Sequence, residues 1–577
     1  MFFLAVFSMA GDSASMDEVA HLPSGYSYLT QRDMRLNPEH PPLIKDFAAF
    51  PLLFIDGIKF PSEIKDWQKD INGQWGFGFH FFYGMGNPVD QMIFWGRIPM
   101  ILLLVLLGFL IFKWARERFG NKVALLTLFF YSFSPTFIAH GRLVTTDVAA
   151  AAGVVLASYY FLKFLYSPTE KNIVIAGVAF GIAQLLKFSL VLLYPFFFLI
   201  VFFWIVFKVE NGKIREFISY GIKLALIFFI GFLVLWPVYQ FHTINIPTEK
   251  IELYSQELLK THPLQKITDP SKIVTWMAEN PILKPWSYYV LGVFMVTERA
   301  AGGHTTYFLG EISNRGWVNY FPIVYILKEP LPFHIFTILA LLYTAYGIKR
   351  PFWERTFTRA KNLVKNHFTE FVMILWIILY WLFSLSSNLN IGVRHLLPTF
   401  PFIYILVSAG IISWLGAGKN LMFSSVKYII FIILILWQAI SVISIYPHFL
   451  SYFNEVAGGA KNGYIYTVDS NLDWGQDLKR LRDWVDEKGI DKIYVDYFGG
   501  GDAKYYLKEK FRPWSGDRSP AELQKGDYLA VSVTFLQGGR GMPVVGFDQP
   551  YGHYLWLYEQ EPPVEKIGYS IFVYQIQ

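Results

Sequence analysis

Residues 92–112 read MIFWGRIPMILLLVLLGFLIF, twenty-one residues with a single charged side chain. A helix rises 1.5 Å per residue, so about 20 apolar residues cross a hydrocarbon core, and this stretch is a membrane span. Runs of the same character recur at 122–139, 148–166, 172–189, 190–207, 218–236, 330–347, 370–386, 396–415 and 427–446. A further apolar run, Met1–Ala10, is about half the needed length and has no basic leader before it. We expect it to be the end of a longer first helix, giving a polytopic α-helical protein of about eleven spans. Composition agrees: 54% of residues are hydrophobic, 19% aromatic and only 16% charged.

The formal charge of +6 needs no nucleic-acid partner, because cytoplasmic loops of membrane proteins collect Lys and Arg, and no nucleic-acid motif is present. The absence of cysteine excludes disulfides, thiolate metal sites and a Cys nucleophile. Lys113, Arg116 and Arg118, then Lys208, Lys213 and Arg215, then Lys349, Arg350, Arg355 and Arg359, then Lys419 fall on one side of the alternating spans. The positive-inside rule makes that side cytoplasmic. The Asp17–Lys45 segment, the 140–147 turn, the 237–325 loop, the 387–395 loop and everything after about residue 447 are then extracytoplasmic, in what reads as a prokaryotic plasma membrane.

Two parts follow: a transmembrane domain over residues 1–446, which includes the 237–325 loop, and an extracytoplasmic domain over 447–577. In the latter, Leu478, Leu481, Trp484 and Val485 recur at helical spacing, while Lys492–Phe498, Tyr528–Phe535 and Tyr569–Ile576 are β-branched and aromatic, which predicts an α/β unit. The 237–325 loop is too long to be structureless and is expected to carry amphipathic helices at the outer membrane surface.

Charged groups gather in the outer segments. Asp17-Glu18 precedes His21 and the stiff run Asn37-Pro38-Glu39-His40-Pro41-Pro42-Leu43-Ile44-Lys45. The side chains of Asp17 and Glu18 diverge by about 100° on a helix, so they cannot both point at one atom; one of them can serve as base toward a hydroxyl, or Asp17 caps the helix that follows. Lys45 offers a point charge for a phosphate, or snorkels to the interface. Arg142 and Asp147 flank the second outer turn and can pair, and Arg394 in the third presents a fork suited to phosphate oxygens. Ionisable groups near lipid are costly, and three such clusters on one face read as a site. Lys187 stands apart, near the outer end of its span.

Glu39, His40 and His304 offer carboxylate and imidazole ligands, so a divalent metal such as zinc stays open, although the spacing fixes none and His304 also reads as a hydrogen-bonded loop residue. No cofactor is required. Asp469-Ser470-Asn471-Leu472-Asp473 begins like a calcium loop, but Arg480 stands at the twelfth place where glutamate is needed; Asp473 or Asp477 reads instead as a cap of the next helix.

Asp17-Glu18, the Glu39–Lys45 run, Arg142 with Asp147, and Arg394-His395-Leu396-Leu397-Pro398 together resemble the GT-C superfamily, specifically the protein O-mannosyltransferase and aminoarabinose-transferase group, glycosyltransferase family 39. The resemblance covers about residues 1–446. It implies a sugar donor linked to polyprenyl phosphate, an inverting displacement, Asp17 as base with Glu18 and Asp147 in the same pocket, and Lys45, Arg394, Arg142 and His40 near the donor phosphate. Where the aminoarabinose transferases carry Lys before Pro-Pro, this chain has His40, as the mannosyltransferases do. The acceptor is a hydroxyl of a protein, lipid or glycan. The competing class is a transporter or flippase for a polyprenyl lipid, but transporters place binding groups at the midplane of repeated halves, and no repeat is present here.

Overall fold

The computed structural model describes residues 1–347, 356–417, 421–538, 554–558 and 562–577. Lys349, Arg350, Arg355 and Lys419, used above to orient the chain, lie outside the described residues. Among the described residues, seven helices are long and apolar enough to cross a membrane: Val89–Phe119, Asp147–Tyr166, Phe188–Lys208, Lys213–Thr243, Phe368–Ser386, Val393–Gly416 and Ser425–Ile443. Two further pairs qualify together but are bent, Asn121–Ser132 with Pro135–Gly141 by 62° and Tyr320–Lys328 with Leu331–Gly347 by 111°.

Both bends have local causes. Ser134 caps the second half of the first pair by accepting from Phe137 N at 3.3 Å, with Pro135 at the following position. In the second pair Pro330 pushes Glu329 out of helical geometry to φ −97°, ψ 148°. The carbonyls freed there are not orphaned, because Asn454 Nδ2 donates to Ile326 O at 2.6 Å and Glu329 O at 2.8 Å.

The run expected at 172–189 becomes a helix of only 15 residues, Glu170–Gln184. Lys187, just past its end, pairs with Asp147 at the start of the 147–166 helix, so the short helix returns the chain along its predecessor. It packs closely because Gly177 and Gly181 present no side chain. A Cβ at Gly177 would lie 2.6 Å from Ile230 Cβ, and one at Gly181 would lie 2.7 Å from Val234 Cβ. The Asp147–Tyr166 helix, rich in Ala, is the central one and Ser425–Ile443 is peripheral: 83% and 17% of their apolar windows are buried.

The 237–325 loop carries helices Thr248–Leu258, Pro270–Glu279 and Lys284–Gly302, then an antiparallel hairpin of β1 (Thr306–Phe308) and β2 (Glu311–Ser313). In the C-terminal part, β3 (Ile493–Asp496), β4 (Phe511–Pro513), β5 (Tyr528–Ser532), β6 (Glu565–Ile567) and β7 (Ile571–Gln575) form one sheet in the order β4-β3-β5-β7-β6. β3 runs parallel to β4 and β5, whereas β7 is antiparallel to β5 and β6. The helix Leu478–Glu487 buries Leu478, Leu481 and Val485 against Ile493, Val495, Ala530 and Val573, which is the α/β arrangement expected of this tail.

Candidate active site

The helix Met16–Gln31 begins with a reciprocal cap: Ser15 is the N-cap and Glu18 accepts from Ser15 N at 2.8 Å. Glu18 also takes the Arg97 guanidinium at 2.8 and 2.6 Å and Val144 N at 3.0 Å. Burial would raise its carboxyl, but Arg97 and these donors hold it below the usual range. With side-chain exposures of 0% for Glu18 and 1% for Arg97, the pair is closed to any substrate, so the expectation that Glu18 is catalytic gives way to a structural role. Nor is Asp17 the cap, since Ser15 and Glu18 fill that role.

Asp17 lies one residue along and turns the other way. Its carboxylate is 24% exposed and accepts from Arg394 Nη1 at 2.9 Å. The same nitrogen lies 3.2 Å from Asp147 Oδ2, and Lys187 Nζ lies 2.5 Å from Asp147 Oδ1. Burial pushes the Asp17 carboxyl up, but Arg394 and then His21 outweigh it and keep the group below its ordinary value. The Arg394 guanidinium lies over Trp474, its Cζ 4.1 Å from the ring centroid, and its Nε has no partner. Three sequence segments more than a hundred residues apart thus meet at one end of the bundle.

Two expected phosphate ligands are occupied elsewhere. Lys45 is fully buried, and its ammonium donates to Tyr28 Oη at 2.8 Å, Asn37 O at 2.8 Å, Asn37 Oδ1 at 2.9 Å and His40 O at 2.9 Å. An ammonium has three hydrogens, so none is free for a ligand, and Lys45 neither snorkels nor binds phosphate; it knots the 37–42 turn. Arg142 pairs not with Asp147 but with Asp12, at 3.0 Å and with both side chains almost wholly buried. The Asp12 carboxylate also takes Arg480 at 2.8 Å, and Arg480 in turn reaches Asp477 at 2.5 Å, so Arg142 belongs to a buried network.

His40 faces the site's edge, its ring 5.0 Å from that of His21. Burial first, then His21, Lys45, Lys187 and Arg299, hold it well below the usual imidazole range, and its Nδ1 has no hydrogen-bond partner. Glu39 accepts from Gln74 Nε2 at 2.9 Å and from Arg299 Nη1 at 3.2 Å. His304 is exposed and bears electrostatically on Asp469. Among the described residues no three His, Cys, Asp or Glu side chains are placed to hold a metal ion. Asp477 occupies the N-cap position of Leu478–Glu487 without capping it, because its carboxylate is taken by Arg480 and Ser570.

The structure adds partners not assigned from sequence: Lys187, half-buried at the Asp147 carboxylate; His395 and Arg299, whose charges bear on His40 or Asp147; and Trp474 under Arg394. Lys187 carried a signal, an ionisable residue within apolar sequence. Trp474 carried none, since nothing local links it to residue 394.

Residues 82–236 match the family model of dolichyl-phosphate-mannose-protein mannosyltransferases. No curated protein matches the chain. Among solved structures, ArnT from Cupriavidus metallidurans bound to undecaprenyl phosphate is 13% identical, with 99% of this chain and 95% of that one covered and a TM-score of 0.44. The Archaeoglobus fulgidus oligosaccharyltransferase in the apo form is 12% identical, with 89% of this chain but only 64% of that one covered and a TM-score of 0.47. The archaeal oligosaccharyltransferase AglB from the same organism, in complex with an inhibitory peptide and a dolichol-phosphate, is also 12% identical, covering 92% and 68% at a TM-score of 0.44. The family match takes in Asp147 and Lys187 and, over residues 82–236, bears out the resemblance to glycosyltransferase family 39 of the GT-C superfamily that the motifs carry.

Proposed function

We propose that this protein is a membrane glycosyltransferase that moves a sugar from a polyprenyl-phosphate-linked donor to an acceptor hydroxyl at the extracytoplasmic face, with inversion. One observation carries the reading: Asp17 is a partly open carboxylate, held by Arg394, at the point where Asp147 and Lys187 also meet. The acceptor oxygen attacks the anomeric carbon as its proton passes to Asp17. The bond from that carbon to the phosphate oxygen breaks, and its electron pair leaves on the lipid phosphate. The protein contributes alignment of these atoms and stabilisation of the leaving charge. Lys187, His395 and Arg299 are the partly or fully exposed cationic or imidazole groups on the same side, and we assign the phosphate to them rather than to Lys45 or Arg142.

In this reading residues 1–446 hold the reacting groups, and 447–577 sit over them on the outside. The donor is a polyprenyl-phosphate sugar, and the acceptor a hydroxyl of a protein, lipid or glycan. Transport is disfavoured because the ionisable clusters gather at one end of the bundle. Even buried Lys328, at the 111° break, donates to Leu450 O and Asn471 O at that end. Mass spectrometry of glycoproteins and lipids from cells with and without the protein tests the proposal. Loss of one sugar mass from a defined acceptor supports it, and identical glycan profiles with altered distribution of the lipid carrier would favour transport.

A further inference from the structure

The chain from 469 to 478 touches both sides of the candidate centre. On the Asp17 side, Ser13 N donates to Gln476 O at 2.9 Å and Met16 N to Trp474 O at 3.0 Å. Ser13 Oγ donates to Gly475 O at 2.6 Å and accepts from Leu478 N at 3.1 Å. These bonds fix the residues immediately before Asp17. The glycines after β3 close the same seam, since a Cβ on Gly500 would fall 2.3 Å from Ser15 O. On the Arg394 side, Ser470 Oγ donates to Ile391 O, and Asn471 Oδ1 accepts from Val393 N at 2.9 Å. Trp474, 1% exposed, then supplies the face on which the guanidinium rests.

We infer that the 469–478 segment is a clamp that sets the distance between Asp17 and Arg394, and that Trp474 is a positioning residue for the transfer reaction. The inference rests on the function proposed above. It also assigns the tail a different part from that of an independent unit: the C-terminal chain completes the geometry of a centre whose reacting groups all precede it. An arginine carries several rotatable bonds, and two carboxylates compete for this one nitrogen. Without the indole beneath it, the guanidinium is free to swing toward Asp147 and leave Asp17 unaligned. Misplacement by about 1 Å is enough to cost about 100-fold in rate.

The test compares W474L and W474F in the full-length protein in liposomes, with transfer from a polyprenyl-phosphate sugar and binding of polyprenyl phosphate measured separately. W474L is expected to lose about 10- to 100-fold in kcat with donor binding little changed, and W474F, which keeps a ring face, to recover most of it. A W474L protein with full kcat overturns the inference, as does equal loss in both variants. Should W474L not be recovered folded, S13A removes only the hydroxyl shared by Gly475 and Leu478; a reduced kcat at unchanged donor binding supports the clamp, and an unchanged kcat refutes it. Wild-type protein that neither binds polyprenyl phosphate nor transfers sugar overturns the proposed function instead. The clamp is then read from the rate at which phenylglyoxal modifies Arg394: faster in W474L supports it, and equal rates refute it.

Discussion

Asp17 and Glu18 are neighbours with opposite fates, and the backbone decides which is which. Glu18, at the third helical position, reaches back to its cap and is then sealed by Arg97, while Asp17 is rotated outward. Removing one partner of a buried pair leaves the other charge unpaired, so R97A is expected to destabilise the protein by about 3–5 kcal/mol; thermal unfolding in detergent measures it. Asp17 should instead show itself in the pH profile. Arg394 and His21 hold its carboxyl below the ordinary value against burial, with the Asp147 carboxylate opposing them. The active, ionised form therefore persists below about pH 4 and is lost only as pH falls through that depressed value. R394A removes the charge and leaves the burial, so the acidic limb of kcat/KM should move upward; an unmoved limb would argue that Arg394 does not act on Asp17. Asp473 is the reverse case, pushed up to about 8 by burial while its Oδ2 accepts from Thr534 N at 2.9 Å. Its folded value exceeds the unfolded one of about 3.9, so the native state keeps a proton that the unfolded chain releases, and stability falls as pH rises between the two. D473N should therefore gain stability relative to the wild type at pH 8 and show little difference at pH 4, as thermal unfolding at both values would record.

At the scale of elements, spans were legible because lipid and bundle interior are both apolar, so a crossing helix is marked by length and hydropathy alone. The breaks at Ser134-Pro135 and Pro330 were less so, because a proline inside an apolar run does not announce whether neighbouring groups will satisfy the carbonyls it frees, and Asn454 lies more than a hundred residues from the carbonyls it serves. Site membership followed the same divide. Asp17, Asp147 and Arg394 stood out as charges near lipid, but the sequence does not show that Lys45 would exhaust its donors on Asn37, His40 and Tyr28, or that Arg142 would turn to Asp12. The short Glu170–Gln184 helix works through its small residues. G181L would drive a side chain into Val234 and should cost about 1–3 kcal/mol by overpacking, read as a lowered Tm. The helix Pro270–Glu279 leaves Trp276 64% and Ile273 41% exposed, and Ile282 just beyond is 66% exposed. These apolar groups are expected to sit in the outer leaflet, where brominated lipids should quench the Trp276 contribution, taken as wild type minus W276F; no such quenching would place that helix in water instead.

For the whole molecule, one end of the bundle gathers the groups to which we assign the reaction, the 237–325 loop meets the tail through the Phe308–Thr467 bridge, and the C-terminal chain holds both the Ser13–Met16 and the Val393 sides of that centre. The α/β character of the tail was readable from its strands and its amphipathic helix. Its grip on Ser13, Val393 and Arg394 was not, because contacts between residues from 78 to 465 apart in sequence leave no local pattern. Everything in the account depends on Asp17 accepting the acceptor's proton. The direct measurement is transfer of radiolabelled sugar from a polyprenyl-phosphate donor by purified wild-type and D17N protein in proteoliposomes, with donor binding measured alongside. The account predicts that D17N binds the donor normally and transfers about 10²- to 10⁴-fold more slowly; D17N turnover within a few-fold of wild type would contradict it.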